Sequence, residues 1–158
     1  MTTTELTIEP GVPFVTATRI FDAPTALVFK AMTDPELIPR WWGPAKYAVV
    51  IDKMEARAGG EWRFLTSDDA GNQYNFHGVY HQVSPTRVVQ TFEFEGVPGH
   101  CALETMTLED LGDGRTKMTA HSIYESVEDR DGMVSSGMEG GLRESHERLT
   151  ELLAKLAA

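Results

Sequence analysis

The C-terminal segment Arg130–Ala158 constrains the fold of this chain more than any other part of the sequence. Apolar residues recur in it at steps of three and four, which places them on one face of a long helix. This face consists of Val134, Met138, Leu142, Ser145, Leu149, Leu152, Leu153 and Leu156. We therefore predict one amphipathic helix that packs against the remainder of the protein.

The two halves of this predicted helix differ in composition. The C-terminal half is rich in leucine, whereas the N-terminal half combines Met133 and Met138 with Gly137, Gly140 and Gly141. Each glycine destabilises a helix by about 1 kcal/mol relative to alanine. Two interpretations stay open: the glycine-bearing half borders a cavity, or glycine is present only because strands come close to the helix.

Strand patterns dominate the sequence before this segment. Short β-branched and aromatic runs alternate with Gly, Pro and Asp turns, which indicates an antiparallel meander. The predicted strands are Phe14–Phe21, Tyr47–Met54, Glu61–Thr66, Gln73–Val83, Arg87–Phe94, Cys101–Leu108 and Thr116–Tyr124. One short helix is predicted near Pro24, with Asp22 or Thr25 as its cap, and another through Leu37 and Ile38. Residues 1–11 are polar and rich in threonine, and we expect a frayed lead-in there.

The order of these elements predicts an α+β fold. One strand, two helices, six strands and a long helix follow one another without a repeat or a linker. A chain of 158 residues is long enough to form one hydrophobic core. We therefore expect residues 1–158 to form a single domain, ordered over about 12–156, in which the last helix covers one face of the sheet.

Charge and targeting patterns narrow the function and the location. The formal net charge of −10 disfavours binding to nucleic acids and to anionic membrane surfaces. The N-terminus lacks the basic and apolar parts of a signal peptide, and no apolar run reaches the roughly 18 residues of a membrane helix. The single cysteine, Cys101, cannot form an internal disulfide and is interpreted as a small buried residue. Together these features favour a cytoplasmic protein.

Alternation along the predicted strands assigns an inner face to the sheet. Trp62, Phe64 and Thr66 share one face, opposite Glu61 and Arg63. The matching positions of the other strands are mostly aromatic or methionine, a composition that suits a pocket but is more often plain core. The predicted lining residues are Trp42, Trp62, Phe64, Phe76, Tyr80, Gln90, Phe92, Met106, Met118, Met133, Met138 and Leu142.

The sequence shows no pattern typical of a metal site or a nucleophilic site. The histidines are scattered, and no cysteine or carboxylate cluster has the spacing of zinc ligands. Neither a nucleophile elbow nor a phosphate-binding loop is present. From these observations together we expect no metal and no cofactor. Tyr74, Tyr80, Gln90 and His146 could supply acid or base groups at the cavity, although we expect His146 at the surface.

Trp41 and Trp42 form a separate signal. Two adjacent indoles cannot both point into the core from an ordinary turn. We expect one of them to close the mouth of the cavity or to pack under the end of the helix, whereas an exposed indole would mark a site for a protein partner.

Several motifs resemble those of a known family. They are FDAPTALVFKAMTDPELIPRWWGP, GGEWRF, GVYHQVSP, LEDLGDGRTKMT and DGMVSSGMEGGLRESHERLTELL, and they extend from about Phe14 to Leu153. In this order they resemble the SRPBCC superfamily and, within it, the activator of heat-shock-protein-90 ATPase homologue family in its stand-alone bacterial form. The resemblance implies the helix-grip, or START-like, fold, in which a curved antiparallel sheet wraps around a long C-terminal helix and a tunnel separates the two.

Three functions are compatible with these patterns. We favour the binding of a small hydrophobic or aromatic molecule in a cavity between the sheet and the C-terminal helix. The resemblance leaves two alternatives open. One is an aromatase/cyclase-like enzyme that uses the same pocket, and the other is a co-chaperone-type interaction module that uses Trp41, Trp42 and the acidic surface. A chaperone and a second copy of the chain are therefore partners to be considered besides the small molecule.

Overall fold

The fold consists of one antiparallel sheet with helices on its inner face. The computed structural model describes residues 3–158. The strands are β1 (Glu5–Thr7), β2 (Phe14–Phe21), β3 (Ala48–Met54), β4 (Glu61–Ser67), β5 (Gln73–Ser84), β6 (Arg87–Phe94), β7 (Cys101–Gly112) and β8 (Arg115–Ile123). The helices are α1 (Thr25–Thr33), α2 (Val127–Ser135) and α3 (Met138–Ala157), with a short 3-10 helix at Ile38–Arg40.

The sheet contains eight strands in the order β1-β2-β8-β7-β6-β5-β4-β3. From β3 to β8 each strand pairs with the next one along the chain, as expected for a meander. Strand β2 joins the sheet beside β8, so an early strand pairs with the last one. This arrangement confirms the predicted α+β class and the helix-grip fold.

Strand β1 was not predicted, and the expectation of a frayed lead-in is wrong for this part of the segment. β1 pairs with β2, and the adjacent Thr4 is 2% exposed. The hydroxyl of Thr4 lies 2.7 Å from Nδ1 of His146, and Nη1 of Arg19 donates to the same hydroxyl at 3.2 Å. The segment is therefore held by side chains far away in sequence, which a local pattern does not reveal. Met1 and Thr2, part of the same expectation, lie outside the described residues.

The single long helix that was predicted is two helices, α2 and α3. Gly137 separates them with φ +91°, in the left-handed region that favours glycine. Helix α2 begins earlier than predicted, because the hydroxyl of Ser126 accepts a hydrogen bond from the backbone N–H of Asp129 at 3.0 Å. The predicted caps of α1 are wrong as well, since Pro24 precedes that helix and no side chain caps it.

The leucine-rich end of α3 anchors the helices to the sheet. Leu149, Leu152 and Leu153 are buried in one cluster with Phe21 and Trp62 of the inner face. Burial of a leucine side chain contributes about 1.5–3 kcal/mol. The leucine half of the predicted stripe is therefore core.

His146 does not lie at the surface, as we expected, but is 3% exposed between α3 and β1. Its ring packs edge-on against Phe21, with the ring centroids 5.9 Å apart. Burial, with a smaller contribution from the charge of Arg19, lowers the pKa of His146 to about 4. The imidazole is therefore neutral at neutral pH.

Candidate ligand-binding cavity

A cavity of about 790 Å³ lies at one end of the sheet, between the strand ends and α2. Pockets for small molecules typically have volumes of about 300–1,000 Å³. The residues around it, which we call the cavity wall, are Trp42, Gly43, Pro44, Tyr47, Val49, Thr66, Tyr74, Phe76, Phe92, Phe94, Val97, His100, Cys101, Ala102, Tyr124, Glu128, Asp129, Gly132, Met133 and Ser136. They come from the loop after the 3-10 helix, from β3 to β7, and from the chain between β8 and α3.

Aromatic rings form the largest continuous part of the wall. The ring of Phe76 lies 5.2 Å from that of Phe92 and 5.2 Å from that of Phe94, measured between centroids. Trp42 packs nearly edge-on against Phe76 at 5.4 Å. Phe92 and Phe94 are two residues apart on β6, so both face inward. The contacts hold the rings in place and expose flat apolar surface to the cavity.

Helix α2 covers the cavity with one of its faces. Glu128, Asp129, Gly132, Met133 and Ser136 recur at helical spacing and all lie on the wall. Gly132 is the notable member, because a Cβ atom at this position would meet no atom within 4 Å and its φ is not positive. Neither steric crowding nor backbone conformation requires glycine here, so its effect is to leave the space next to the helix open.

Polar contacts join α2 to the loop between β6 and β7. Nδ1 of His100 lies 2.9 Å from a carboxylate oxygen of Asp129, and this hydrogen bond raises the pKa of His100. The backbone N–H of Cys101, the first residue of β7, donates to Glu125, which lies just before α2, at 2.7 Å. Burial raises the pKa of the Cys101 thiol, which therefore stays protonated at neutral pH. These contacts fix the position of α2 over the cavity.

Four of the twelve predicted lining residues lie on the wall: Trp42, Phe76, Phe92 and Met133. The other eight do not: Trp62, Phe64, Tyr80, Gln90, Met106, Met118, Met138 and Leu142.

The core accounts for five of these eight. Trp62, Phe64, Tyr80, Met106 and Met118 occupy the predicted inner face but are buried in one hydrophobic cluster with residues of α1 and α3. Alternation assigned the face correctly, but it does not show how far along each strand the helices cover it. The wall lies only at the uncovered end of the same strands.

The remaining three residues have different surroundings. Met138 and Leu142 belong to α3, beyond the break at Gly137, and Met138 contacts the hydroxyl of Tyr124 through its sulfur atom at 3.6 Å. Gln90 points inward from β6, one pair of residues behind the wall residue Phe92.

Gln90 belongs to a row of polar side chains on the inner face, which we call the polar row. Gln90 of β6 pairs with Glu104 of β7, which pairs with Ser122 of β8. Nε2 of Gln90 lies 3.4 Å from one carboxylate oxygen of Glu104, and the hydroxyl of Ser122 donates to the other at 3.2 Å. Burial raises the pKa of Glu104 to about 7.

Glu104 was not predicted as a site residue, although its position on the strand indicates that its side chain faces inward. Met106 had been placed on the inner face, and the residue two positions earlier on the same strand must share that face. Tyr124, the last residue of the predicted strand Thr116–Tyr124, lies on the wall just after β8 and was not predicted there, although alternation from Met118 places it on the same face. Burial raises the pKa of Tyr124, and the charge of the nearby Glu104 adds to this effect.

Both adjacent indoles are engaged within the chain. Trp41 is 6% exposed, and its Nε1 donates to the carbonyl of Ala31 at 2.9 Å. Trp42 instead lies on the wall. An exposed indole that could serve as a partner site is therefore not formed by this pair.

Two features are absent from residues 3–158, a cluster of metal ligands and a helix able to span a membrane. No group of three or more histidine, cysteine, aspartate and glutamate side chains is arranged to hold a metal ion. None of the helices formed by these residues has the length and apolar character of a membrane span.

Comparison with known families identifies the chain. The model of the family described as Activator of Hsp90 ATPase homolog 1-like protein matches residues 22–154. The chain belongs to this family. This result confirms the resemblance seen in the sequence. No curated protein matches the chain.

Solved structures of bacterial proteins share the fold of this AHSA1-family domain. A protein from Arthrobacter aurescens is 25% identical, with a TM-score of 0.87 over 96% of this chain and 91% of that chain. A protein from Rhodobacter sphaeroides is 24% identical, with a TM-score of 0.86 over 96% and 99%. The AHSA1 protein from Silicibacter pomeroyi is 20% identical, with a TM-score of 0.74 over 89% and 97%. At these identities the similarity shows the fold alone.

Proposed function

We propose that this AHSA1-family domain binds a small hydrophobic or aromatic molecule in the cavity between the sheet and α2. The observation that carries the proposal is the wall itself, which combines a volume of about 790 Å³ with contacting aromatic rings. Transfer of an apolar molecule from water to such a surface is favourable by roughly 25 cal/mol per Å² of buried apolar area. The SRPBCC superfamily is typically associated with hydrophobic ligands, which agrees with this proposal.

The glycine in α2 supports the same function. A glycine in a helix lowers the stability of that helix, so Gly132 destabilises α2. Gly132 does not allow a close packing contact in exchange, because the space next to its α-carbon is open. An alanine would stabilise the helix, and a larger side chain would extend into the cavity. Glycine therefore keeps this part of the cavity free of a side chain.

Substitution of Gly132 tests the proposal. We expect wild-type protein to bind members of a panel of neutral aromatic and aliphatic compounds and to show a higher midpoint of thermal unfolding in their presence. Gly132→Leu should abolish the binding, because the new side chain occupies the cavity. The matched control is Gly140→Leu, since Gly140 is also an exposed helical glycine without neighbours within 4 Å but is not part of the wall.

Two outcomes would overturn the proposal. One is that no compound of a broad panel at millimolar concentration shifts the midpoint of the wild-type protein. The other is that Gly132→Leu and Gly140→Leu bind as well as the wild type. Native mass spectrometry of freshly purified protein adds an independent readout, since a retained ligand appears as an added mass that Gly132→Leu should lack.

The enzyme alternative receives less support from the geometry. Of the acid or base candidates, Tyr80 and His146 are buried in the core, and only Tyr74 lies on the wall. A cyclase would need donors that converge on one point of a bound substrate. We therefore propose binding rather than turnover as the function of the cavity.

A further inference from the structure

The polar row places a carboxyl group directly behind the aromatic wall. Glu104 lies two residues beyond the wall residue Ala102 on β7, a separation of about 7 Å, and both point to the inner face. Ala102 has the smallest side chain of the wall after its glycines. Glu104 is not itself on the wall, and along β7 the small Ala102 is the wall residue next to it on the inner face.

The carboxyl of Glu104 has unused capacity to accept hydrogen bonds. It receives one donor on each oxygen, from Gln90 at 3.4 Å and from Ser122 at 3.2 Å, and both distances are at or beyond the long end for good hydrogen bonds. A carboxylate offers about four acceptor positions. Within residues 3–158, no lysine or arginine nitrogen contacts this carboxyl, so its charge lacks a cationic partner.

The pKa of Glu104 supports a role in binding a cation. Burial raises it to about 7, which leaves the group near the midpoint of its titration at neutral pH. A cation that arrives beside the carboxyl favours the ionised form and gains a hydrogen-bonded partner in a poorly solvated place.

The remainder of the wall favours the same sign of charge. Aromatic rings present electron-rich faces, which attract cations. Glu128 and Asp129 of α2 lie on the wall. The one basic side chain of the wall, His100, is paired with Asp129. The net charge of −10 adds a long-range attraction for cations.

We propose that the natural ligand is a hydrophobic amine, whose apolar body lies on the aromatic wall and whose protonated amino group contacts Glu104. This inference rests on the proposed function and narrows it. The same arrangement disfavours fatty acids and other anionic amphiphiles, because they would bring a second negative charge toward Glu104. The contact is non-covalent, so no reaction of the ligand is implied.

Three probes of nearly equal shape test this proposal. They are 2-(2-naphthyl)ethylamine, 2-(2-naphthyl)ethanol and 2-naphthylacetate, which carry a positive, a neutral and a negative group on the same ring system. Titration calorimetry at pH 7.5 should give a dissociation constant for the amine about tenfold below that for the alcohol. The acid should bind more weakly than the alcohol.

Glu104→Gln assigns the preference to the carboxyl. The substitution keeps the size of the side chain but removes its charge and one acceptor oxygen, so the amine and the alcohol should then bind within about twofold of each other. Glu109→Gln is the control, because Glu109 lies on the same strand but is exposed and away from the wall. It should leave the preference of the wild type unchanged.

Failure of this inference is distinguishable from failure of the proposed function. If the alcohol binds wild-type protein but not Gly132→Leu, while the amine binds no better than the alcohol, the cavity binds ligands and the inference is wrong. A preference for the amine that survives Glu104→Gln also overturns it. Absence of binding by all three probes contradicts the inference and counts against the proposed function.

Discussion

Nδ1 of His100 lies 2.9 Å from a carboxylate oxygen of Asp129, and this contact links the β6–β7 loop to α2 at the edge of the cavity. Both residues are on the wall, so the pair closes part of its rim. A second polar contact of α2 comes from Arg130, whose Nη1 donates to the carbonyl of Glu9 at 2.7 Å. Polar contacts therefore hold α2 to the β6–β7 loop on one side and to the N-terminal segment on the other.

The first prediction concerns the pH dependence of the His100–Asp129 contact. The hydrogen bond to Asp129 raises the pKa of His100 above its ordinary value of about 6.5. A raised pKa means that the contact stabilises the folded protein below pH 6.5 and that this contribution disappears as the pH rises through the pKa of the folded state. An NMR titration should show a lower pKa for His100 in Asp129→Asn than in the wild type. Equal values in both proteins would show that the pair does not form in solution.

The second prediction concerns His146, whose contribution to stability depends on pH in the opposite direction. Burial and Arg19 lower the pKa of His146 to about 4, whereas the unfolded chain has a value of about 6.5. Between these values the unfolded state binds more protons, so stability is present above pH 6.5 and is lost as the pH falls toward 4. From this group alone, the free energy of unfolding should fall by about 2 kcal/mol between pH 7 and pH 5.

Urea unfolding at both pH values measures this loss. His146→Gln should lower the stability at pH 7, because the fit to Thr4 and Phe21 is disturbed, but it should flatten the dependence on pH. An unchanged slope in the variant would mean that other groups cause the dependence.

The third prediction compares two glycines of the C-terminal region. Gly132→Ala should raise the free energy of unfolding by about 0.5–1 kcal/mol, since alanine is the better helix former and has free space here. Gly137→Ala should lower it by about 1–2 kcal/mol, because φ at this position is +91°. Chemical denaturation measures both, and a stabilised Gly137→Ala would show that the break between α2 and α3 is not required.

The fourth prediction concerns the anchoring of α3. Leu149 is fully buried, and Leu149→Ala should lower the free energy of unfolding by about 2–5 kcal/mol. Leu111→Ala is the control, since Leu111 is 36% exposed and should change it by less than about 0.5 kcal/mol. Similar effects of both substitutions would contradict the location of the core at the C-terminal end of α3.

Local patterns in the sequence were sufficient to predict most of the fold. The period of two located β2 to β8 and their inner face, and the period of three to four located the leucine end of α3. The same helical period continues through Gly137, which is why the break between α2 and α3 was missed. Strand β1 was missed because Thr4 and His146, which hold it, are 142 positions apart.

The residues of the candidate site were harder to predict from the sequence than the fold. Alternation places Phe76 and Tyr80 on the same face, yet only Phe76 is on the wall. The difference depends on where α1 and α3 end over the sheet, and this is a property of packing between distant elements. Glu104 could have been placed on the inner face from the position of Met106, two residues later on the same strand. The cover formed by α2 could not be predicted without recognising that Gly137 ends this helix.

The most direct test of a ligand cavity under α2 uses the methyl signals of two methionines. Met133 lies on the wall, whereas Met118 is 2% exposed in the core and away from the wall. During a titration with 2-(2-naphthyl)ethanol, observed by NMR of methyl-labelled methionine, the Met133 signal should shift in a saturable manner and the Met118 signal should stay in place. A saturable shift confined to Met118, or no shift of Met133 at millimolar ligand, would contradict binding in this cavity.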